Sequence, residues 1–164
     1  MMTSIRPDEI YTALATIQDP EIPVLSVLDL GMITHIDIKE NYVLVKMIPT
    51  YAACPAVNYI RNHIKKNLEE TLAIQVIVEL DNTILWNSDR ITDIAKKKLK
   101  NFGIATPKKL ANCNNLEEYF DGTPCVHCES NNTVLKTPFG STLCRAIHYC
   151  LDCKQSFEHF KPLE

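Results

Sequence analysis

The sequence predicts an α+β protein, with a small helix–strand–strand–helix–strand–helix domain followed by a C-terminal zinc-ribbon-like module. Two patterns predict the domain: segments with apolar residues at helical spacing, and segments in which apolar and polar residues alternate. Two Cys-x-x-Cys pairs in the last quarter of the chain predict the module. A length of 164 residues suits one ordinary domain with a small addition, and 46% apolar with 23% charged residues is typical of a globular chain.

The first half of the chain predicts a helix and a hairpin. Residues 7–17 carry apolar side chains at helical spacing, and Pro7 suits a first helical turn. Residues 32–38 and 42–48 alternate between apolar and polar side chains and are separated by a short polar turn. We therefore expect a helix that ends before Asp19 and two antiparallel strands.

The second half predicts a long helix from Pro55, a strand at 74–80 and a helix at 92–102 that ends at Gly103. The lysines of the last helix are expected on its solvated face. Residues 105–122 are polar and rich in Pro, Asn and Lys. The predicted domains are therefore 1–104, a linker at 105–122 and a four-cysteine module at 123–164.

Composition and charge limit the cellular location and the classes of partner that the sequence predicts. The first residues lack the apolar core of a signal peptide, and charged residues interrupt every apolar stretch before it reaches membrane-spanning length. We expect a cytoplasmic protein, whose thiols stay reduced. A net charge of −3 disfavours a nucleic-acid-binding ribbon.

The four C-terminal cysteines are predicted metal ligands. Each Cys-x-x-Cys pair offers two thiolates from one turn, and 21 residues separate the pairs, which are Cys125 with Cys128 and Cys150 with Cys153. Zinc suits such a closed tetrahedral cage; a single iron or an iron–sulfur cluster suits the same ligands. Two disulfides are disfavoured in a reducing compartment. Zinc makes the module structural, whereas iron makes it an electron carrier.

Cys54 is the candidate functional residue of the first domain. If the long helix begins at Pro55, Cys54 lies near the N-cap, where free N–H groups and the helix dipole favour a thiolate. An ordinary core cysteine is the alternative. One thiolate cannot hold a metal firmly, so further ligands must come from carboxylates, a second protomer or a client protein. A direct role as a catalytic nucleophile is disfavoured because no histidine lies near Cys54 in the sequence.

Three stretches resemble a small α+β family implicated in iron–sulfur and metal-centre maturation, of which SufT is a member: residues 19–23, 29–31 and 49–55. Together with the ending, residues 125–128, 139–144, 150–153 and 157–161, the chain resembles PaaD (also called PaaJ), the D component of phenylacetyl-CoA epoxygenase systems. The resemblance implies a non-catalytic helper in assembling a metal centre of that oxygenase. Its implied partners are the oxygenase or reductase components, or other iron–sulfur assembly proteins, and a homodimer is left open.

Two roles are open for Cys54: it holds iron or an iron–sulfur cluster transiently, or it joins a partner. Five further residues are candidates for the same site. Asp19, Glu21 and Asp29 are candidate ligands, although a turn former, a solvated carboxylate and a turn acceptor are the respective alternatives. Thr50 and Tyr51 are candidates for the rim of the same pocket.

Cys144 is a fifth cysteine of the predicted module. It is interpreted either as an exchangeable metal ligand or as a small buried hydrophobic residue. Cys113 is interpreted as an incidental thiol, and the histidines of the module, His127, His148 and His159, are expected at the surface or behind the metal ligands. Besides assembly, an electron-transfer protein with an iron–thiolate or iron–sulfur centre stays open.

Overall fold

A computed structural model describes residues 5–109 and 115–161. The chain forms two compact units, one ending at Trp86 and the other beginning at Asn87. Within the described ranges, none of the helices is both long enough and apolar enough to cross a lipid bilayer.

The first unit contains two helices and a three-stranded sheet. Its elements are α1 (Pro7–Ala15), β1 (Ile33–Ile38), β2 (Tyr42–Met47), α2 (Val57–Leu72) and β3 (Gln75–Leu80). The sheet order is β1-β2-β3. β1 and β2 pair antiparallel, which confirms the predicted hairpin, and β3 joins β2 in parallel through the α2 crossover.

The core of this unit forms where the apolar faces of helix and sheet meet. Ile60, Ile64 and Leu68 follow one face of α2 and are fully buried. Val43 and Val45, on alternate positions of β2, are likewise buried. Burying each such side chain contributes about 1.5–3 kcal/mol. This core fixes the start of α2 and the loop that precedes it.

The loop between α1 and β1 is closed by its own hydrogen bonds. The Asp19 N–H donates to the Leu25 carbonyl at 2.8 Å. Gly31 turns the chain at φ 61°, a left-handed conformation that costs glycine little. The Trp86 indole N–H donates to the Leu30 carbonyl at 2.7 Å, so the end of the unit is tied to the same loop.

The second unit contains a four-stranded sheet in the order β4-β7-β6-β5. Its elements are a short 3-10 helix (Ser88–Arg90), α3 (Asp93–Phe102), β4 (Ile104–Ala105), α4 (Leu116–Phe120), β5 (Thr133–Thr137), β6 (Arg145–Cys150) and β7 (Ser156–Phe160). β5, β6 and β7 are antiparallel neighbours, and β4 joins β7 in parallel. The predicted α+β class and the zinc-ribbon-like hairpins are confirmed.

The stretch predicted as a linker contains part of the second unit. Ala105 ends β4 and pairs with His159 of β7. Tyr119 of α4 is only 1% exposed. The polar composition of 105–122 concealed these contacts because it is typical of a loop. The limits at 104 and 123 stay predictions; in the structure, α3 and β4 belong with the cysteine ribbon.

Candidate metal centre and a second thiol site

The two Cys-x-x-Cys turns have the same backbone geometry. The Cys125 N–H donates to the Ser130 carbonyl at 2.9 Å, and the Cys150 N–H donates to the Gln155 carbonyl at 2.9 Å. The residue after each pair, Glu129 or Lys154, has a left-handed φ of 62° or 61°. Its N–H donates back to the carbonyl of the first cysteine, closing each turn so that both sulfurs point inward.

The four sulfurs form one compact group, all within 4.8 Å of one another. The Sγ atoms of Cys125 and Cys153 lie 3.7 Å apart, and those of Cys128 and Cys150 lie 3.6 Å apart. A tetrahedral ion with bonds of about 2.3 Å requires sulfur–sulfur distances of about 3.8 Å. A disulfide needs about 2.05 Å. The ligand set and its spacing therefore fit one tetrahedral metal ion.

Backbone N–H groups face the sulfurs and favour their ionised form. The Cys153 N–H donates to the Cys150 sulfur at 3.5 Å, and the His127 N–H donates to the Cys125 sulfur at 3.4 Å. The N–H groups of Cys153 and Asp152 lower the pKa of Cys150 to about 7. Burial raises the pKa of Cys153. A bound cation would supply the missing positive charge and hold all four as thiolates.

Asp152 joins the two cysteine turns. Its carboxylate accepts hydrogen bonds from Ser130 Oγ at 2.5 Å and Asn132 Nδ2 at 2.7 Å. Asp152 belongs to the second turn and Ser130 to the first, so these bonds set how the two turns face each other. Bonds of this kind orient ligands in metal sites. Sequence analysis missed Asp152; an acidic residue between paired cysteines was the only available signal.

Cys54 lies in the first unit and is half-buried. The prediction that α2 begins at Pro55 is wrong: the helix begins at Val57 with Ala56 as its N-cap. A turn precedes it, in which the Cys54 N–H donates to the Tyr51 carbonyl at 2.9 Å. The helix starts late because this turn already uses the backbone of residues 51–54.

The prediction of a favoured thiolate at Cys54 is also wrong. Burial raises the pKa of this thiol, and the charges of Glu21 and Asp19 raise it further. The N–H groups of Ala56 and Val57 act in the opposite direction but do not outweigh burial. The structure therefore gives Cys54 a thiol whose pKa lies above its ordinary value, which favours the protonated form.

The predicted neighbours of Cys54 have distinct positions. Asp19 is buried and its Oδ1 accepts the N–H groups of Glu21 and Ile22, each at 2.8 Å. Asp29 Oδ2 accepts the Ser26 N–H at 2.9 Å, so it holds a turn. The remaining two candidates differ in exposure: Thr50 is buried, and Tyr51 is 37% exposed. Their roles at a site stay predictions.

Comparison with known proteins matches both halves of the chain. Residues 114–161 match the family model described as the PaaD zinc beta ribbon domain, and residues 7–80 match the one described as iron–sulfur cluster assembly protein. The putative D component of the 1,2-phenylacetyl-CoA epoxidase of Escherichia coli (strain K12) is 33% identical over 93% of this chain and 91% of its own length. The chain belongs to the PaaD family.

Other similar proteins cover the first part of this PaaD-family chain. An Fe-S protein maturation auxiliary factor of Porphyromonas gingivalis (strain ATCC BAA-308 / W83) is 33% identical over 56% of this chain and 89% of its own. A domain of unknown function from Bacillus anthracis shares the fold, with 24% identity, a TM-score of 0.53 and coverage of 56% and 89% of the two chains. A conserved hypothetical protein of Thermotoga maritima has 25% identity, a TM-score of 0.52 and coverage of 60% and 98%.

Two histidines of the PaaD ribbon are buried. The sequence predicts histidines either at the surface or behind the metal ligands, and burial excludes the first of these positions for this pair. His148 and His159 are both 0% exposed, and their rings are joined by a contact of 3.2 Å between Nε2 and Nδ1. Burial lowers the pKa of His148 to about 4 and that of His159 to about 3. Phe157 stacks on His148 and also packs against Cys125 and Cys150. Neutral rings therefore support the wall of the metal centre, while His127 is exposed as expected.

Cys144 is buried and lies outside the group of four sulfurs. Its Sγ is 3.1 Å from the Thr142 hydroxyl, and its carbonyl accepts the Lys161 N–H at 2.9 Å. Its predicted part in metal transfer stays a prediction. Cys113 lies outside the described residues.

Proposed function

We propose that this PaaD-family protein is a non-catalytic assembly factor for an iron or iron–sulfur centre of a phenylacetyl-CoA oxygenase system. Its clients are the oxygenase or reductase components of that system. The observation that carries the proposal is the half-buried Cys54 thiol, on which the charges of Glu21 and Asp19 act, in the part of the chain that matches an iron–sulfur assembly family. The epoxidase name of one relative and the maturation-factor name of another support the same assignment.

The four-cysteine centre serves the architecture of the ribbon. A cage of four thiolates leaves a tetrahedral ion no open position for substrate. The buried cluster that adjoins the cage consists of Ala105, Cys125, Cys150 and Phe157, so two of its four members are themselves cage cysteines. Zinc in this cage would stabilise the fold directly, as structural zinc does in small domains.

In this proposal, Cys54 binds the iron that is later transferred to the client protein. The carboxylates that raise the pKa of its thiol also attract a cation. When a ferrous ion binds, the sulfur releases its proton to solvent and an iron–sulfur bond forms, without any change in oxidation state. A single thiolate with carboxylate neighbours holds iron weakly enough for transfer. The client supplies the remaining ligands and takes the ion.

An electron-transfer protein is the second candidate function, favoured by the same sulfur spacing. A single iron in four thiolates has the geometry that the cage provides. Visible absorption distinguishes the two, since zinc thiolates are colourless and iron thiolates are coloured. A colourless protein purified anaerobically with one zinc per chain eliminates this candidate.

The test of assembly compares Cys54→Ser with Cys113→Ser, each coexpressed with the oxygenase components. We expect Cys54→Ser to keep its ribbon zinc and its backbone amide NMR spectrum, while the client loses iron and epoxidation activity. Cys113→Ser removes a thiol interpreted as incidental, so this matched control is expected to leave the client loaded. Full iron content and activity of the client with Cys54→Ser would refute the proposal.

A further inference from the structure

Among the described residues, β3 is an edge strand of the first sheet, with a strand paired to one side of it only. β2 pairs with one side of β3, and β3 ends the sheet order. The Asp81 N–H, one residue past β3, donates to the Met47 carbonyl of β2 at 2.8 Å. Every second residue of β3, counted back from Asp81, therefore directs its backbone N–H and C=O groups toward β2. The residues between them, Val76 and Val78, therefore direct their N–H and C=O groups away from β2. Val78 is half-buried there, whereas Val76 is fully buried until its cover is displaced.

A basic groove runs along this open edge. Its volume is about 250 Å³, and it is lined by residues 75–78 of β3 and by Arg61, Asn62 and Lys65 of α2. The surrounding unit is acidic, since residues 1–86 hold eleven carboxylate side chains against six lysines and arginines. Two of those six cations face the groove. Its charge is thus opposite to that of the unit that carries it.

One backbone donor of the edge already has a side-chain acceptor. Glu69 of α2 accepts the Val76 N–H on Oε1 at 3.1 Å, and the same oxygen lies 4.0 Å from Lys65 Nζ. The carboxylate occupies the place that a carbonyl of an added strand would take. Carboxylates at an edge also discourage unspecific pairing of strands.

We propose that the β3 edge and its basic groove form a docking site for an extended, acidic segment of a partner protein, which adds as a fourth strand. Backbone hydrogen bonds to Val76 and Val78 supply the pairing, as in other strand additions. Arg61 and Lys65 select acidic side chains on that segment by charge. Glu69 is displaced from Val76 when the segment binds. The docking site is independent of the proposed role of Cys54.

The experiment uses the full, zinc-loaded chain and two fluorescein-labelled peptides. One is an octapeptide that alternates valine with glutamate, and the other has lysine in place of each glutamate. Fluorescence anisotropy measures the affinity, and amide hydrogen exchange by NMR measures pairing. We expect the acidic peptide to bind at least about tenfold more tightly than the basic one, and more weakly as salt rises.

Charge variants on α2 separate the groove from the rest of the helix. The double variant Arg61→Glu/Lys65→Glu is expected to weaken the acidic peptide about tenfold or more. Lys66→Glu is the matched control: Lys66 is on the same helix, 77% exposed and outside the groove lining, and its change is expected to stay within about twofold. Glu69→Ala is expected to tighten binding because it removes the competing acceptor. Unchanged amide spectra away from the groove verify that each variant folds.

Hydrogen exchange distinguishes strand addition from simple ionic attraction. On binding, exchange is expected to slow at the Val78 amide and to stay unchanged at Ile77, whose amide already faces β2. The Val76 amide is already bonded to Glu69, so its exchange is compared only in Glu69→Ala. Equal affinity for both peptides, no binding, or no slowing at Val78 would overturn the proposal. A dimer that protects the Val78 amide in the chain alone and that Arg61→Glu/Lys65→Glu disrupts would also overturn it, since the edge then belongs to a second copy.

Discussion

The ion pair between β6 and β7 gives a stability prediction that can be worked from the structure. Arg145 Nη1 donates to Glu158 Oε2 at 2.7 Å and to Ser141 Oγ at 3.1 Å. The Arg145 side chain is 8% exposed and that of Glu158 is 28% exposed. Burial raises the pKa of Glu158, but the hydrogen bonds from Ser141 and Arg145 outweigh it and hold the pKa below its usual value. Glu158→Gln leaves the guanidinium without its counter-charge.

We expect Glu158→Gln to lower the free energy of opening the β6–β7 ladder by about 2 kcal/mol. Breaking a fully buried pair costs about 3–5 kcal/mol, whereas an exposed pair contributes about 1 kcal/mol or less; partial exposure of Glu158 places this pair between them. Hydrogen exchange of the β6 and β7 amides in the zinc-loaded chain measures this opening locally. A loss of about 2 kcal/mol corresponds to exchange about 30-fold faster.

Two control variants test whether the faster exchange in Glu158→Gln comes from loss of the ion pair. Glu117→Gln, on the exposed face of α4, is expected to leave the ladder unchanged because this carboxylate lies at the surface. Adding Arg145→Met to Glu158→Gln is expected to recover part of the loss, since the buried guanidinium that lost the charge of Glu158 is then removed as well. Unchanged exchange in Glu158→Gln, or a larger loss in the double variant, would show that the ion pair does not stabilise the ribbon.

Three further predictions follow from the two sulfur sites. Glu21→Gln removes a negative charge that raises the pKa of Cys54, so alkylation of Cys54 at pH 8, measured by mass spectrometry, is expected to accelerate; an unchanged rate contradicts the charge effect. Asp152→Ala, measured by chelator competition, is expected to weaken zinc binding by about tenfold to a hundredfold, and full affinity would show that its bonds do not orient the ligands. Lys154→Gly places glycine at φ 61° and is expected to raise Tm of the zinc-loaded chain by about 2 °C, whereas a lower Tm would show that no strain was relieved.

Local patterns were sufficient for much of the fold. The β1–β2 hairpin follows from alternation and a short turn, and the end of α3 follows from Gly103, which takes a φ of 93°. The four ribbon cysteines could be selected as ligands because two Cys-x-x-Cys pairs at about this spacing are typical of a zinc site. These features depend on neighbours in the chain, so the sequence alone determined them.

Only the tertiary structure decided three features of the sites. These are the raised pKa of the Cys54 thiol, the burial of His148 and the hydrogen bonds by which Asp152 joins the two cysteine turns. Each depends on groups distant in sequence: the charges of Glu21 and Asp19 act on Cys54, the aromatic ring of Phe157 stacks on His148, and Ser130 bonds Asp152. A helix-terminus argument gave the wrong sign for Cys54 because it counted the nearby N–H groups and could not count burial. Desolvation is a property of the packed interior, and no local pattern of residues contains it.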